Sequence, residues 1–510
     1  MSTPSYARQL PIRLGGPEEF SLVSEFFKRH SFDEETTCRE LKIESMCDVG
    51  TCAAVDLSHL GKEIQILIRL FLYQTMVPHS EVADALGPEM LQTFFSLGLL
   101  GTGEFGENHL YASVLLYPVA GFHMASDRAS NPDGSDFQPP DDTVFPAIYE
   151  GTLRFLQLLP VSPAAEALDL CAGSGVGALV LSRTCDKAVS ADLTERASQF
   201  ARFNAALNGC NDVEVVSGDL YDAVAGRTFD RIVAHPPYVP SVNTSKIWRD
   251  GGATGEALVR RVVEGVPSHL RPGGLFCMVS IGLDTRYGSF EERVRTWLGS
   301  ASSEFDLVFA WLNEKSPREI LRNLAEKEKG LNLSEVQQLA REFEHAEVVN
   351  VPYGALFIRR RPAGSDQEPL TERRRLSEKT SGADFERTFS LRDLMMRSDF
   401  HELLLHASLT LAPRLEVKVT HVVHDGELLP ADYVFEVDRP FSVTTHLEAW
   451  MVSLATSFKG TETAVEIYEA AKARDELPDG FGLEHYSKLL QLMVHRGFLL
   501  LPNELLKQET

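Results

Sequence analysis

Hydrophobic and polar positions change period along this chain, and the changes divide it. Over the first hundred residues apolar side chains recur at helical spacing, as in Pro17-Glu-Glu-Phe-Ser-Leu-Val-Ser-Glu-Phe-Phe. Asp33-Glu-Glu opens a further helix with acids in its first turn. The run from Ser80 to Leu100 predicts a helix capped by Ser80, a tight break at Gly87-Pro88 and a second apolar helix. Tyr111-Ala-Ser-Val-Leu-Leu-Tyr-Pro-Val reads as strand. Helix, turn, helix and strand pair together predict a winged-helix-like module. Its presumed second helix, Pro88 to Leu100, carries no Lys or Arg. Phosphate contacts need cations, so a partner- or substrate-binding role fits this module better than reading DNA.

From Phe145 to about Arg361 short apolar runs alternate with helical patterns, which predicts an α/β domain with a mostly parallel sheet. The predicted strands are 166–170, 187–191, 213–217, 231–234, 274–280, 305–311 and 346–359. The charged stretch 316–344 is expected to be helical and to lie outside the core. Pro362-Ala-Gly-Ser-Asp-Gln-Glu-Pro and the run Glu372-Arg-Arg-Arg read as a solvated linker. Beyond it, strands over 415–423 and 431–437 and helices from His446 predict a separate α+β domain, with an end that is again winged-helix-like. The expected division is 1–140 (N-terminal helical), 141–362 (central α/β), 363–387 (linker) and 388–510 (C-terminal α+β).

A length of 510 residues fits this count of domains, and 44% hydrophobic with 24% charged residues is an ordinary globular balance. The net charge of −24 changes the picture more. Gripping a nucleic-acid backbone normally takes a basic surface, so that partner class is disfavoured. Seven cysteines are scattered without a paired Cys or His set, which points to reduced packing residues and to no metal site. The N-terminus has no apolar signal core and no segment approaches a membrane span, so a soluble cytoplasmic protein is expected, with no membrane partner.

Two stretches carry chemistry. Leu168-Asp-Leu-Cys-Ala-Gly-Ser-Gly-Val-Gly177 is a strand ending in a glycine turn at Gly173, Gly175 and Gly177, where the backbone can approach a ligand. Asp169 ends the strand. Asp192 closes the next one, placed to accept both hydroxyl hydrogens of a ribose, and Asp219 follows the third, placed to receive a base amino group. Merely tight turns are the bland alternative. The second stretch, His235-Pro236-Pro237-Tyr238-Val-Pro, follows the fourth predicted strand at the sheet end where ligands bind. Its prolines stiffen the loop, as positioning of a reactant requires.

Together these stretches resemble class I S-adenosylmethionine-dependent methyltransferases, and the resemblance covers most of residues 145–361. It implies a Rossmann-like seven-stranded domain with a reversed last strand at Val351-Pro-Tyr-Gly-Ala-Leu-Phe. It implies S-adenosyl-L-methionine as cofactor, held by Asp169, the three glycines, Asp192 and Asp219. Phe145-Pro-Ala-Ile-Tyr149-Glu-Gly-Thr would cover the methionine part. His235-Pro-Pro-Tyr resembles the Asn-Pro-Pro-Tyr motif of HemK-like glutamine methyltransferases and adenine-N6 enzymes. In that family the Asn and a proline carbonyl hold the acceptor NH₂, and the Tyr packs on its plane. Asp250-Gly-Gly-Ala-Thr-Gly-Glu and Leu270-Arg-Pro-Gly-Gly continue the likeness.

His235 departs from the pattern. A neutral imidazole offers one acceptor and one donor where a carboxamide offers an acceptor oxygen and two donor hydrogens. It can accept from an N–H, or act as a general base for a protonated amine or a hydroxyl, since the pKa of histidine lies near working pH. A structural histidine and a core Tyr238 are the bland alternatives. The expectation is methyl transfer to a nitrogen of a protein, peptide or small metabolite, with His235, Pro236 and Tyr238 at the acceptor. A nucleic-acid base methyltransferase and a non-catalytic cofactor-binding regulator are the other readings.

Overall fold

The computed structural model describes residues 10–510 apart from 53, 244–245, 328–330, 363, 366, 503–504 and 506–510. The chain divides into two units, Met1–Phe305 with Glu314–Ala363, and Asp306–Asn313 with Gly364–Thr510.

The first unit absorbs the N-terminal segment. Helices Pro17–Arg29 and Glu34–Leu41 precede Lys62–Leu67, which runs into a widened turn at Ile68–Leu72. His79–Ser96 is broken at Gly87 (φ 72°, ψ 166°), after which Pro88 opens the second half, as the Gly-Pro pair predicts. Val77–Pro78, His109–Ala112 and Leu100–Thr102 form an antiparallel sheet, and Leu115–Val119 pairs with Phe122–Ser126 in a hairpin. The single strand expected over 111–119 is therefore two, because its halves join different sheets.

Residue 140 is not a domain boundary. The apolar faces of the N-terminal helices share one core with Val176, Leu179, Phe200 and Phe203 of the α/β part, and Phe20 meets Phe203 edge-on at 5.1 Å. Polar groups stitch the same seam. Asn204 and Asn208, four apart along helix Glu195–Leu207 and its cap, address Ala125 and His123, two apart on a strand. Each amide accepts the strand N–H (2.7 and 2.9 Å) and donates to the strand carbonyl (3.0 and 2.7 Å). A buried Asp127 carboxylate takes the Arg196 guanidinium at 2.8 Å. Helical periodicity announces an apolar face but not its partner, so this merger was invisible in the pattern.

The α/β part is built on parallel strands in the spatial order Val213–Ser217, Cys185–Asp192, Ala164–Leu170, Phe229–Ala234 and Leu270–Ile281. Val348–Arg360 then runs antiparallel against the last of these, the reversed strand expected. This is the Rossmann-like class I methyltransferase arrangement. The strand predicted at 305–311 exists as Phe305–Lys315, and its residues Asp306–Asn313 belong to the second unit. The charged stretch forms helices Pro317–Lys327 and Leu333–His345, but it is not outside the core. Ile320, Leu321 and Phe343 pack in a cluster with Tyr238 and Tyr353.

In the second unit the expected linker is folded. Thr371–Arg375 is a strand, parallel to Leu307–Trp311, and Gly382–Met395 is a helix. The arginines are not a free solvated run. Arg373 and Arg375 lie over the Phe309 and Trp311 rings, and Arg374 is bonded to Glu372. The alternation of paired strands hides inside a charge run when the polar face is itself engaged. Strands Glu416–His424, Glu427–Val437 and Val443–Leu447 make an antiparallel sheet, so His446 sits in a strand and the next helix begins at Ala449. Helices Phe400–His406, Ala464–Ala473 and Leu483–His495 pack around Leu404, Tyr468, Tyr486 and Leu490. Among the described residues no helix is long and apolar enough to cross a membrane.

Candidate active site

Strand Ala164–Leu170 lies between Cys185–Asp192 and Phe229–Ala234, so the order of connection reverses here. Open α/β sheets bind ligands at such a point, beyond the carboxyl ends of the strands. Leu170 is in register with Ala234. The residues that follow them, Cys171 and His235, begin the two chemistry-bearing loops, which therefore leave the sheet side by side.

A cavity of about 350 Å³ fills this crevice. Asp169, Gly173, Gly177, Asp192, Asp219, Tyr149, His235, Pro236 and Tyr238 all line it. Gly175 does not. At φ 81° it caps helix Val176–Leu181, and a Cβ there would stand 2.9 Å from that of Ala201, so this glycine serves helix packing. Cys171 and Leu220, both on the cavity wall, hold the left-handed backbone that side chains avoid (φ 57° and 52°). Such strain persists where a site overdetermines it.

Three acids divide the work of the turn. Asp169 is buried and accepts the Ala178 amide at 2.9 Å, bracing the start of the helix. A Cβ on Gly177 would meet its Oδ2 at 2.5 Å, so glycine is required for that approach. Burial, with the Asp192 charge adding, pushes the Asp169 carboxyl up to about 8. Asp192 accepts Gly173 N on Oδ2 at 2.9 Å and Thr194 N on Oδ1 at 3.1 Å, and each oxygen keeps a second lone pair. Burial raises its pKa too. Neither acid is hydrogen-bonded to a basic side chain among the described residues. Asp219 is more exposed, and its Oδ2 is taken by Arg261 at 2.9 Å.

The other wall is aromatic. His235 stacks on Phe155 (5.4 Å, 15°) and sits 6.0 Å from the Tyr238 ring. Its Nε2 is sealed from water without a hydrogen-bond partner. Burial drives the imidazole down to about 4, so it is neutral at neutral pH. The general-base role that an ordinary histidine would offer is thus withdrawn, because a desolvated ring resists protonation. Tyr238 and Tyr353 hydrogen-bond through their hydroxyls, and a Cβ on Gly151 would lie 3.5–3.7 Å from both hydroxyls and the His235 ring. Gly255, at φ 84°, lets the following loop press on the Tyr238 carbonyl, where a Cβ would stand 2.3 Å away. At the mouth Tyr149, Phe145 and Trp248 stack in sequence at 4.3 and 4.7 Å.

Phe155, Trp248 and Tyr353 are site residues that sequence reasoning missed, and Gly151 stood unremarked in the segment expected to cover the methionine part. Tyr353 stood in the stretch read only as the reversed last strand. Trp248, a large ring in a polar loop just after the acceptor motif, was a signal that could have been used.

Fold and crevice define the class of this domain, a Rossmann-like methyltransferase. Residues 146–283 match the methyltransferase small domain family, so the middle of the chain is a domain of that kind, whose class uses S-adenosyl-L-methionine. Among similar proteins is a ribosomal protein uL3 glutamine methyltransferase of Bradyrhizobium diazoefficiens, 31% identical over 158 residues, covering 28% of this chain and 50% of that protein. A release factor glutamine methyltransferase of Koribacter versatilis is 35% identical over 137 residues, 24% of this chain and 49% of that one. The chain thus spans about half the length of these relatives. The crystal structure of the YcgJ protein from Bacillus subtilis is 16% identical, covers 42% of this chain and 98% of that one, and has a TM-score of 0.27.

Proposed function

We propose that this protein transfers a methyl group from S-adenosylmethionine to a neutral nitrogen of a protein side chain held at the His235-Pro-Pro-Tyr238 loop. The observation that carries this is the single cavity lined on one side by the glycine turn with Asp192 and on the other by His235 and Tyr238. The cavity suits the cofactor: buried Asp169 and half-buried Asp192 face it with no basic side chain bonded to them among the described residues, and the backbone of the turn is open at Gly173. When bound, the cofactor supplies an electrophilic methyl on a sulfonium centre. Asp192 would hold the ribose hydroxyls, the free oxygen of Asp219 the base, and Tyr149 the methionine end.

The protein's own task is positioning. Pro236 and Pro237 keep the loop rigid, Tyr238 packs on the acceptor plane, and neutral His235 orients the nitrogen by accepting or donating one hydrogen bond. A ring held near 4 does not deprotonate an ammonium at neutral pH, which favours an uncharged amide nitrogen. The protein glutamine methyltransferases among the relatives support an acceptor of that kind.

The test is incubation of a cell extract with methyl-tritiated cofactor and the full chain, then separation into protein, nucleic acid and small molecules. Label is expected in protein and absent with Asp192→Ala, whose cofactor affinity by calorimetry should also fall. Label in RNA or DNA, or none in any fraction, would overturn the reading.

A further inference from the structure

The second unit holds a cavity of its own, about 70 Å³, between strand Thr371–Arg375, helix Gly382–Met395 and the stretch 494–501. That is room for a few waters or one tetrahedral oxyanion. Arg374, Arg387, Arg392 and Arg496 line it with His495, against two carboxylates, Glu372 and Asp384. In a chain of net charge −24 this local excess of cations is unusual.

Both carboxylates are already committed. Glu372 lies 2.7 Å from Arg374 and 3.2 Å from His495. Asp384 accepts the Ser381 amide at 2.9 Å at the head of its helix and the Arg439 Nε at 3.3 Å. Arg496 donates to the Thr445 hydroxyl and Arg392 to the Glu368 carbonyl. Arg387 is left. It is half-buried, its guanidinium makes no hydrogen bond among the described residues, and burial lowers its pKa, opposed by the Asp384 charge and aided by that of Arg439. A partly desolvated cation that no carboxylate hydrogen-bonds is costly, and the planar fork of arginine matches an oxyanion in two-point contact.

We propose that this cavity is an oxyanion site that takes a phosphate group, with Arg387 as its principal donor. The site lies in the second unit and is independent of the methyl-transfer reading. A tetrahedral, multiply charged group suits the Arg387 fork in a cleft with a net excess of arginines better than a carboxylate does, because it offers more acceptor directions and more charge.

The test uses the full chain and inorganic phosphate, by calorimetry and by the thermal midpoint, against potassium chloride at matched ionic strength and against acetate. Phosphate is expected to stabilise the protein beyond the chloride control. Arg387→Gln should weaken phosphate affinity at least about tenfold, the loss of one charged bidentate contact. Arg387→Lys should retain charge yet still bind more weakly than the parent, and exposed Arg318→Gln should leave affinity unchanged. Cofactor binding should be the same in all four proteins, which separates failure here from failure of the methyl-transfer reading. Stabilisation no greater than in chloride, acetate binding as tightly as phosphate, or an unaltered affinity in both Arg387 variants would each overturn the proposal. If the Gln variant does not fold, the Lys variant decides.

Discussion

His235→Phe separates what this residue costs from what it does. In the folded protein Nε2 is shut off from water with no partner. An unsatisfied buried polar atom costs about 1–3 kcal/mol. Phenylalanine removes that atom while keeping the planar stack on Phe155 at 5.4 Å and 15°, and its extra volume faces a cavity of about 350 Å³. The variant should therefore be more stable, by about 1–2 kcal/mol, with a thermal midpoint raised by about 1–3 °C. Cofactor affinity should be unchanged within about threefold, since His235 lies on the wall opposite the glycine turn, whereas under the proposed function tritiated-methyl transfer should fall about a hundredfold or more through lost positioning. Greater stability with lost turnover is the signature of a polar group kept for function. A destabilised variant would mean that Nε2 is satisfied in solution. Undiminished transfer would remove His235 from the acceptor site.

The same histidine predicts a pH dependence. Its folded value near 4 lies below the ordinary 6.5, so the unfolded chain takes up the proton first. The stability contributed by its neutral ring is complete above pH 6.5 and lost toward pH 4, on the order of 3 kcal/mol, and urea unfolding of His235→Phe should lack that slope. Asp169 runs the other way. Its folded value of about 8 exceeds the ordinary one, so its neutral form favours folding at low pH and the benefit disappears as pH rises through 8. Asp169→Asn should flatten that loss, which runs from about pH 4 to about pH 8, and an unchanged slope would refute burial as the cause. Gly177→Ala would put a Cβ 2.5 Å from Asp169 Oδ2, forcing the carboxyl off the Ala178 amide; a loss of about 1–3 kcal/mol in urea unfolding and weaker cofactor binding are expected. Trp248→Ala removes the outer ring of the stack at the mouth, and should raise the KM for the protein acceptor with little change in cofactor affinity.

What was legible in the sequence was local. The glycine turn, the acids at strand ends and the Pro-Pro loop announce themselves because each is dictated by neighbouring backbone, and strand order then brings the loops together. What escaped depends on distant partners. Gly175 reads like its two neighbours, yet Ala201 on another helix decides its role. Arg373 and Arg375 look like solvated charge until Phe309 and Trp311 arrive beneath them. Asn204 and Asn208 are ordinary helix-surface residues until a strand edge from eighty residues upstream pairs with them.

The electrostatics of the crevice bear on the substrate in a way neither motif does alone. Asp169 and Asp192 turn carboxyl oxygens to the cofactor side, acceptors toward which hydroxyl and other partly positive groups are drawn. The acceptor side is formed by Phe155, Tyr238, Tyr353 and an uncharged imidazole, and the nearby acid Glu150 is exposed to solvent. A protonated amine entering that wall would shed its water without gaining a counter-charge, at a cost of several kcal/mol. A carboxamide would shed less and could lie flat against Tyr238. Under the proposed function, His235 in place of a carboxamide would keep the preference for a neutral nitrogen with fewer hydrogen bonds to fix its plane, and the Tyr238–Tyr353 hydrogen bond would brace the ring against which that plane lies. Tyr353→Phe tests this step: it should slow transfer while leaving cofactor affinity intact, and a normal rate would show that Tyr238 needs no such brace.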